Sequence, residues 1–107
     1  MSTLWTDEQV TLALQFYYGC DENTQTDSHA TCIKIAAEIS AAGPTRTASA
    51  LDKILRNVKS VDVGAVGLDR ASDAIKRLVA KYKGSPAVLT TDANAIRAKY
   101  KLPAFSC

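Results

Sequence analysis

The chain has 107 residues, 47% hydrophobic and 22% charged, which fits one globular domain and excludes a disordered segment. No apolar run reaches the length that spans a bilayer, and no basic-then-apolar leader opens the chain. The net charge of +2 is unevenly spread: residues 1–45 hold one Lys against six acids, and residues 46–107 hold twelve Lys or Arg against five, so the second part suits an anionic partner.

Thr6 opens the first predicted helix. Asp7 and Glu8 fall in its first turn and Gln9 stands three residues after the cap, which is the capping-box pattern. Val10, Leu12, Ala13, Leu14, Phe16 and Tyr17 supply its apolar positions, and Gly19 stops it. Residues 19–28 are polar and turn-forming. A second helix is predicted from about Ala30 to Ala42, capped by Ser28, with Cys32, Ile33, Ile35, Ala36 and Ile39 as its buried stripe and Gly43-Pro44 as its end. A third follows from about Ala48 to Val58 after Thr45 or Thr47. Its Leu51, Ile54, Leu55 and Val58 are spaced i, i+3, i+4, i+7.

Residues 59–68, with two glycines, read as a linker. A fourth helix is expected from about Asp69 to Lys83, burying Ala71, Ile75, Leu78, Val79 and Tyr82. Ser85-Pro86 reads as a break. A last helix is expected from Asp92 to about Lys101, capped by Thr91, burying Ala93, Ile96 and Tyr100 and closed by Leu102-Pro103. No alternating strand pattern competes, so the expected architecture is a single all-α bundle of about five helices spanning residues 1–107.

The three cysteines, Cys20, Cys32 and Cys107, form no C-x-x-C pair. An odd count argues against a disulfide framework and for a reducing, cytoplasmic setting, with Cys32 as a core residue. The single His29 and these cysteines match no zinc spacing, so no metal and no cofactor are expected. Catalysis finds equally little support. The single His29 has no marked partner for a Ser-His-Asp constellation, and Gly64-x-x-Gly67 is too short for a phosphate loop and lacks the following Lys-Ser or Lys-Thr. The expectation is a protein that is not an enzyme.

The second and third helices, joined by a short Gly-Pro turn, form a helix-turn-helix-like pair, an arrangement in which the second helix enters a major groove. Arg46, Ser49, Lys53 and Arg56 fall about one turn apart on one side of it. Cations and hydroxyls there suit phosphates, and Arg or Asn suits base edges. Asn57 reads either as an adenine contact or as a helix terminator, and Asp52 on the same face opposes phosphate. Arg70, Arg77 and Lys81, with Lys76 and Lys83 beside them, form a basic ridge on the fourth helix. The residues assigned to DNA are Arg46, Ser49, Lys53, Arg56, Lys59, Arg70 and Arg77. Trp5, Tyr17 and Tyr18 read as packing aromatics.

The order Trp5-Thr6-x-Glu8, an aliphatic helix ending in Phe16-Tyr17, then Ile35/Ile39, is similar to the N-terminal module of bacterial restriction-type HNH endonucleases. In that module a Leu-x-Asn-Phe element is followed by Asp, Gly-Leu and Ser. Leu55-Arg56-Asn57-Val58, Asp62, Gly67-Leu68 and Ser72 stand here in that order, and Leu89, Ala93 and Ile96-Arg97 resemble the module's tail. Val58 departs from the usual aromatic, Val63 from a frequent Pro, and the nuclease module itself has no counterpart. The resemblance therefore implies target binding without cutting. Trp-Thr-x-Glu and Arg46-Thr47 also resemble Myb-like trihelical domains. Both resemblances imply duplex DNA as partner, with a homodimer as a way to read two half-sites. A second expectation is a phage- or plasmid-type adaptor or inhibitor that binds a protein such as a defence nuclease, presenting Asp21, Glu22, Asp27 and Glu38 as an acidic face. A third is an excised domain of a longer nuclease, against which Leu102-Pro103 closes the last helix cleanly.

Overall fold

The computed structural model describes residues 4–64 and 72–107. Helix α1 (Asp7–Gly19) begins where Thr6 Oγ1 accepts the Gln9 amide at 3.1 Å, while the Gln9 side chain accepts the Thr6 amide at 3.4 Å. The capping box is therefore formed as expected. All residues from Gln9 to Phe16 are buried, so α1 is covered on every side rather than along one stripe. It packs against each of the other four helices, and the bundle is assembled around it. Its last carbonyls are satisfied by buried Gln25, whose Nε2 donates to Tyr17 O at 3.2 Å and Cys20 O at 3.1 Å.

Helix α2 (Ala30–Ile39) is capped by His29, whose Nδ1 accepts the Thr31 amide at 3.1 Å, and not by Ser28. It gives way to a 3₁₀ turn over Ser40–Ala42. Cys32, Ile35, Ala36 and Ile39 are buried, but Ile33 is 52% exposed. The four buried positions are spaced i, i+3, i+4, i+7, and Ile33 falls off that stripe.

Helix α3 (Ala48–Val63) starts at Thr47, whose Oγ1 accepts the Ala50 amide at 3.1 Å. It runs five residues past the expected Val58, because residues 59–63 hold no breaker. It ends at Gly64, whose φ of 67° is left-handed. Asn57 is thus mid-helix and terminates nothing. Helix α4 (Asp73–Tyr82) is capped by Ser72, whose Oγ accepts the Ile75 amide at 3.3 Å, rather than starting near Asp69. Asp69 and Ala71 lie outside the described residues, while Ile75, Leu78, Val79 and Tyr82 are buried as expected.

Helix α5 (Pro86–Lys99) begins six residues before the expected Asp92, with Pro86 in its first turn. Proline has no amide to lose there, so it starts the helix instead of breaking it. Lys101, at φ 56°, then ends it: the Lys101 amide reaches Ala98 O at 3.2 Å and the Leu102 amide reaches Arg97 O at 2.8 Å, the Schellman pattern. No strand occurs among the described residues, and no described helix is long and apolar enough to cross a membrane. The architecture is an all-α bundle.

The tail folds back onto the end of α1. Phe105 packs so close to Gly19 that a Cβ there would lie 2.8 Å from its ring. Lys34 Nζ donates to Ser106 O at 3.0 Å. Cys20 and Cys107 form a disulfide with Cα atoms 5.6 Å apart. This overturns the expectation from the odd cysteine count and removes its ground for a reducing compartment. The leftover thiol is Cys32, fully buried, where desolvation pushes its pKa up to about 11. The two partners are 87 residues apart in sequence, so only the return of the tail to α1 brings them together.

A bridge closing so long a loop removes much chain entropy from the unfolded state. Cys107→Ser is expected to lower unfolding stability by about 2–4 kcal/mol, read as the urea midpoint under oxidising conditions. The same variant under reducing conditions is expected to match the reduced wild type.

Candidate functional site

Two buried glutamines on α1 each hold one arginine. Gln9, fully buried, donates through Nε2 to Ile39 O at 3.1 Å and Pro44 O at 2.8 Å, and its Oε1 accepts Arg46 Nε at 3.2 Å. The Arg46 guanidinium lies over the Trp5 ring at 4.7 Å from its centroid. Six residues along α1, Gln15 Oε1 accepts Arg97 Nε at 2.9 Å, and that guanidinium lies 5.3 Å from the Phe105 centroid. Arg97 also donates through Nη1 to Glu38 Oε1 at 2.8 Å and to Pro103 O at 3.0 Å.

The two arrangements differ in one respect. Arg97, 3% exposed, has a carboxylate counterion. Arg46, 8% exposed, has none among the described residues. Burial lowers the Arg46 pKa from its ordinary value, and no acid offsets this. Among the described residues, neither its Nη2 nor that of Arg97 has a hydrogen-bond partner. Arg46, just before α3, was expected to reach DNA beside Ser49, Lys53 and Arg56. Its amide is held by Ser40 Oγ at 2.8 Å, and its side chain is buried, drawn inward by Gln9 and Trp5.

Arg46 and Trp5 wall a cleft of about 620 Å³ that opens between α3 and the first turn of α4. Lys53 and Asn57 of α3 line one side, and Ser72 and Asp73 the other. Ile54 and Ile75 make part of its apolar floor.

The remaining assigned residues divide by partner. Ser49 and Lys53 are exposed on α3, and the Lys53 ammonium makes no ion pair among the described residues. Arg56 Nε donates to Asp52 Oδ1 at 3.1 Å and Lys59 Nζ to Glu22 Oε1 at 2.6 Å. On α4, Arg77 Nη2 donates to both Asp7 oxygens at 2.8 and 2.9 Å, Lys81 lies 3.6 Å from Asp92, and Lys83 lies 3.6 Å from an Asp62 oxygen. Arg70 lies outside the described residues. The basic ridge is therefore largely matched by carboxylates, although such exposed pairs contribute little and exchange readily.

The acidic face loses one member: Glu38 is buried beneath Arg97, because an ion pair is what permits a carboxylate in the core. Tyr17 and Tyr18 pack edge-to-face and both donate to Asp62, at 2.9 and 2.7 Å. With burial, that acceptor pushes the Tyr17 pKa up to about 12.

Gln15 was not singled out in the sequence, and Arg97 was named only within the resemblance to the module's tail. A signal exists for Arg97: it continues the buried Leu89 and Ala93 at i+4 spacing, and a charge on an apolar stripe implies a buried partner. Compared with protein-family models, curated proteins and solved structures, the chain finds no match.

A Cβ on Gly43 would stand 2.8 Å from Gln9 Cδ, whereas one on Gly84 would meet nothing within 4 Å. Gly43→Ala is expected to displace the Gln9 carboxamide and cost about 1–3 kcal/mol, the penalty of unsatisfied buried groups. Gly84→Ala serves as the control, and its urea midpoint is expected to stay close to that of the wild type.

Proposed function

We propose that the chain is a non-catalytic module that binds duplex DNA through α3, with the cations of α4 as flanking phosphate contacts. The observation that carries this reading is the outward face of α3, where Ser49, Lys53 and Arg56 are exposed at i, i+4, i+7, with the Lys53 ammonium in no ion pair among the described residues. A helix presenting a hydroxyl and cations along one line, preceded by a short turn from α2, has the form of a groove-entering element. The resemblance of Trp5-Thr6-x-Glu8 and Leu55-Arg56-Asn57 to restriction-type target-binding modules favours the same partner. The exposed pairs of Arg56 with Asp52 and Arg77 with Asp7 are compatible with it, because phosphates replace carboxylates on screened, exposed cations at small cost.

Binding of this kind releases counterions, so its affinity falls steeply as salt rises. In mobility-shift titrations on a mixed-sequence duplex, Lys53→Ala is expected to reduce the log–log salt slope by about 1, the value for one lost phosphate contact. The double reversal Lys53→Glu/Arg56→Glu is expected to abolish retention. Wild-type protein that is not retained on duplex even at low salt would exclude this function.

A further inference from the structure

We infer that the cleft between α3 and the start of α4 is a binding site for a phosphate ester, with Arg46 and Lys53 as its two cations. The inference deepens the DNA reading where the phosphate belongs to nucleic acid, and to that extent rests on it. It also stands apart, because it requires only a phosphate group.

The argument starts from Arg46. A guanidinium that is more than nine-tenths buried needs compensation for its lost hydration. Arg97 receives it from Glu38 at 2.8 Å. Arg46 sits in the same kind of cradle, an α1 glutamine on Nε and an aromatic ring across its face, with Nη2 unpartnered as it is in Arg97, yet among the described residues no carboxylate pairs with it. The fold supplies the geometry of a buried ion pair at Arg46 and leaves out the anion.

The surroundings supply what an anion needs. Arg46 lines the cleft, and Lys53, exposed and without an ion-pair partner among the described residues, lines it too. So do Ser72 and Asp73 at the start of α4, a helix of ten residues. Helix geometry leaves the first amides of α4 without intrahelical acceptors, and its N-terminus carries partial positive charge. Arginine, lysine and a helix N-terminus together are the chemistry of phosphate binding. Among the described residues, Asp73 is the one carboxylate lining the cleft, and it opposes an anion against the two cations Arg46 and Lys53. The volume of about 620 Å³ and the apolar floor exceed the needs of an inorganic ion and suit an organic body attached to the phosphate.

Trp5 is the only tryptophan of the chain and lines this cleft, so its fluorescence reports occupancy directly. Three probes separate the sources of phosphate: inorganic phosphate, adenosine 5′-monophosphate and a mixed-sequence DNA duplex, each titrated against sodium chloride at matched ionic strength. A saturable change in Trp5 emission is expected with at least one of them. Lys53→Ala, folded by circular dichroism, is expected to weaken it about tenfold, as for loss of one charge-assisted contact. Asp73→Asn is expected to strengthen it. A mononucleotide that outcompetes inorganic phosphate assigns the site to a free phosphorylated molecule. A response to duplex that Lys53→Ala weakens assigns it to the nucleic-acid backbone.

No saturable change with any of the three probes, or a change that Lys53→Ala leaves untouched, overturns the site. If duplex is retained in a mobility shift while Trp5 stays silent, the site fails and the DNA reading survives. If phosphate or mononucleotide binds and duplex is not retained, the site stands and the DNA reading fails.

Discussion

The carboxamide of Gln9 ties together more of this fold than any other single group. It belongs to the cap of α1, donates to the last carbonyl of α2 and to the turn at Pro44, and accepts from Arg46. An amide has two donors and one carbonyl acceptor, and here all are used in a site with no access to water. Removing any partner strands the others, which makes the network cooperative in the sense that matters for buried polar groups. The approach of Gly43 to within a Cβ's reach of Gln9 follows from this, because the turn must press against the carboxamide to deliver the Pro44 carbonyl and the Arg46 side chain.

The same motif occurs twice on α1, and the contrast between its copies is informative. At Gln15 the arginine is neutralised within the chain by Glu38 and sealed by Phe105 and the Pro103 carbonyl. That copy clamps the tail and α2 to α5 and is structural. At Gln9 the arginine faces a cleft and, among the described residues, lacks its acid. Four cations of the basic half pair with carboxylates of the acidic half, Arg77 with Asp7, Lys99 with Glu8, Lys59 with Glu22 and Arg97 with Glu38. The asymmetry of charge along the sequence is therefore partly consumed in holding the two halves together. Arg46 and Lys53 are among the described cations that no carboxylate matches, and these two share one cleft.

Much of the architecture was legible in the sequence because caps and stripes are local. Thr6 with Gln9, the Leu51-Ile54-Leu55-Val58 stripe and the Ile75 to Tyr82 stripe all hold. Boundaries failed where a residue has two meanings. Pro86 starts a helix as readily as it breaks one, and residues 59–63 continue α3 because nothing in them stops it. The disulfide and the buried polar pairs were hidden for a different reason. Cys20 with Cys107, Gln15 with Arg97 and Gln9 with Arg46 are joined only by the way helices pack, and a pattern along the chain carries no trace of which elements will meet. Arg46 and Glu38 read as surface charges because charged residues usually are.

The central claim is that Gln9 holds Arg46 as a buried cation whose counterion comes from outside the chain. The guanidinium Nε–H resonances of Arg46 and Arg97, both slowed in exchange by their glutamine partners, test it most directly in an isotope-labelled sample titrated with inorganic phosphate. The account predicts that the Arg46 resonance shifts progressively and saturates while that of Arg97, already paired with Glu38, stays in place. Equal movement of both resonances, or of neither, would contradict it.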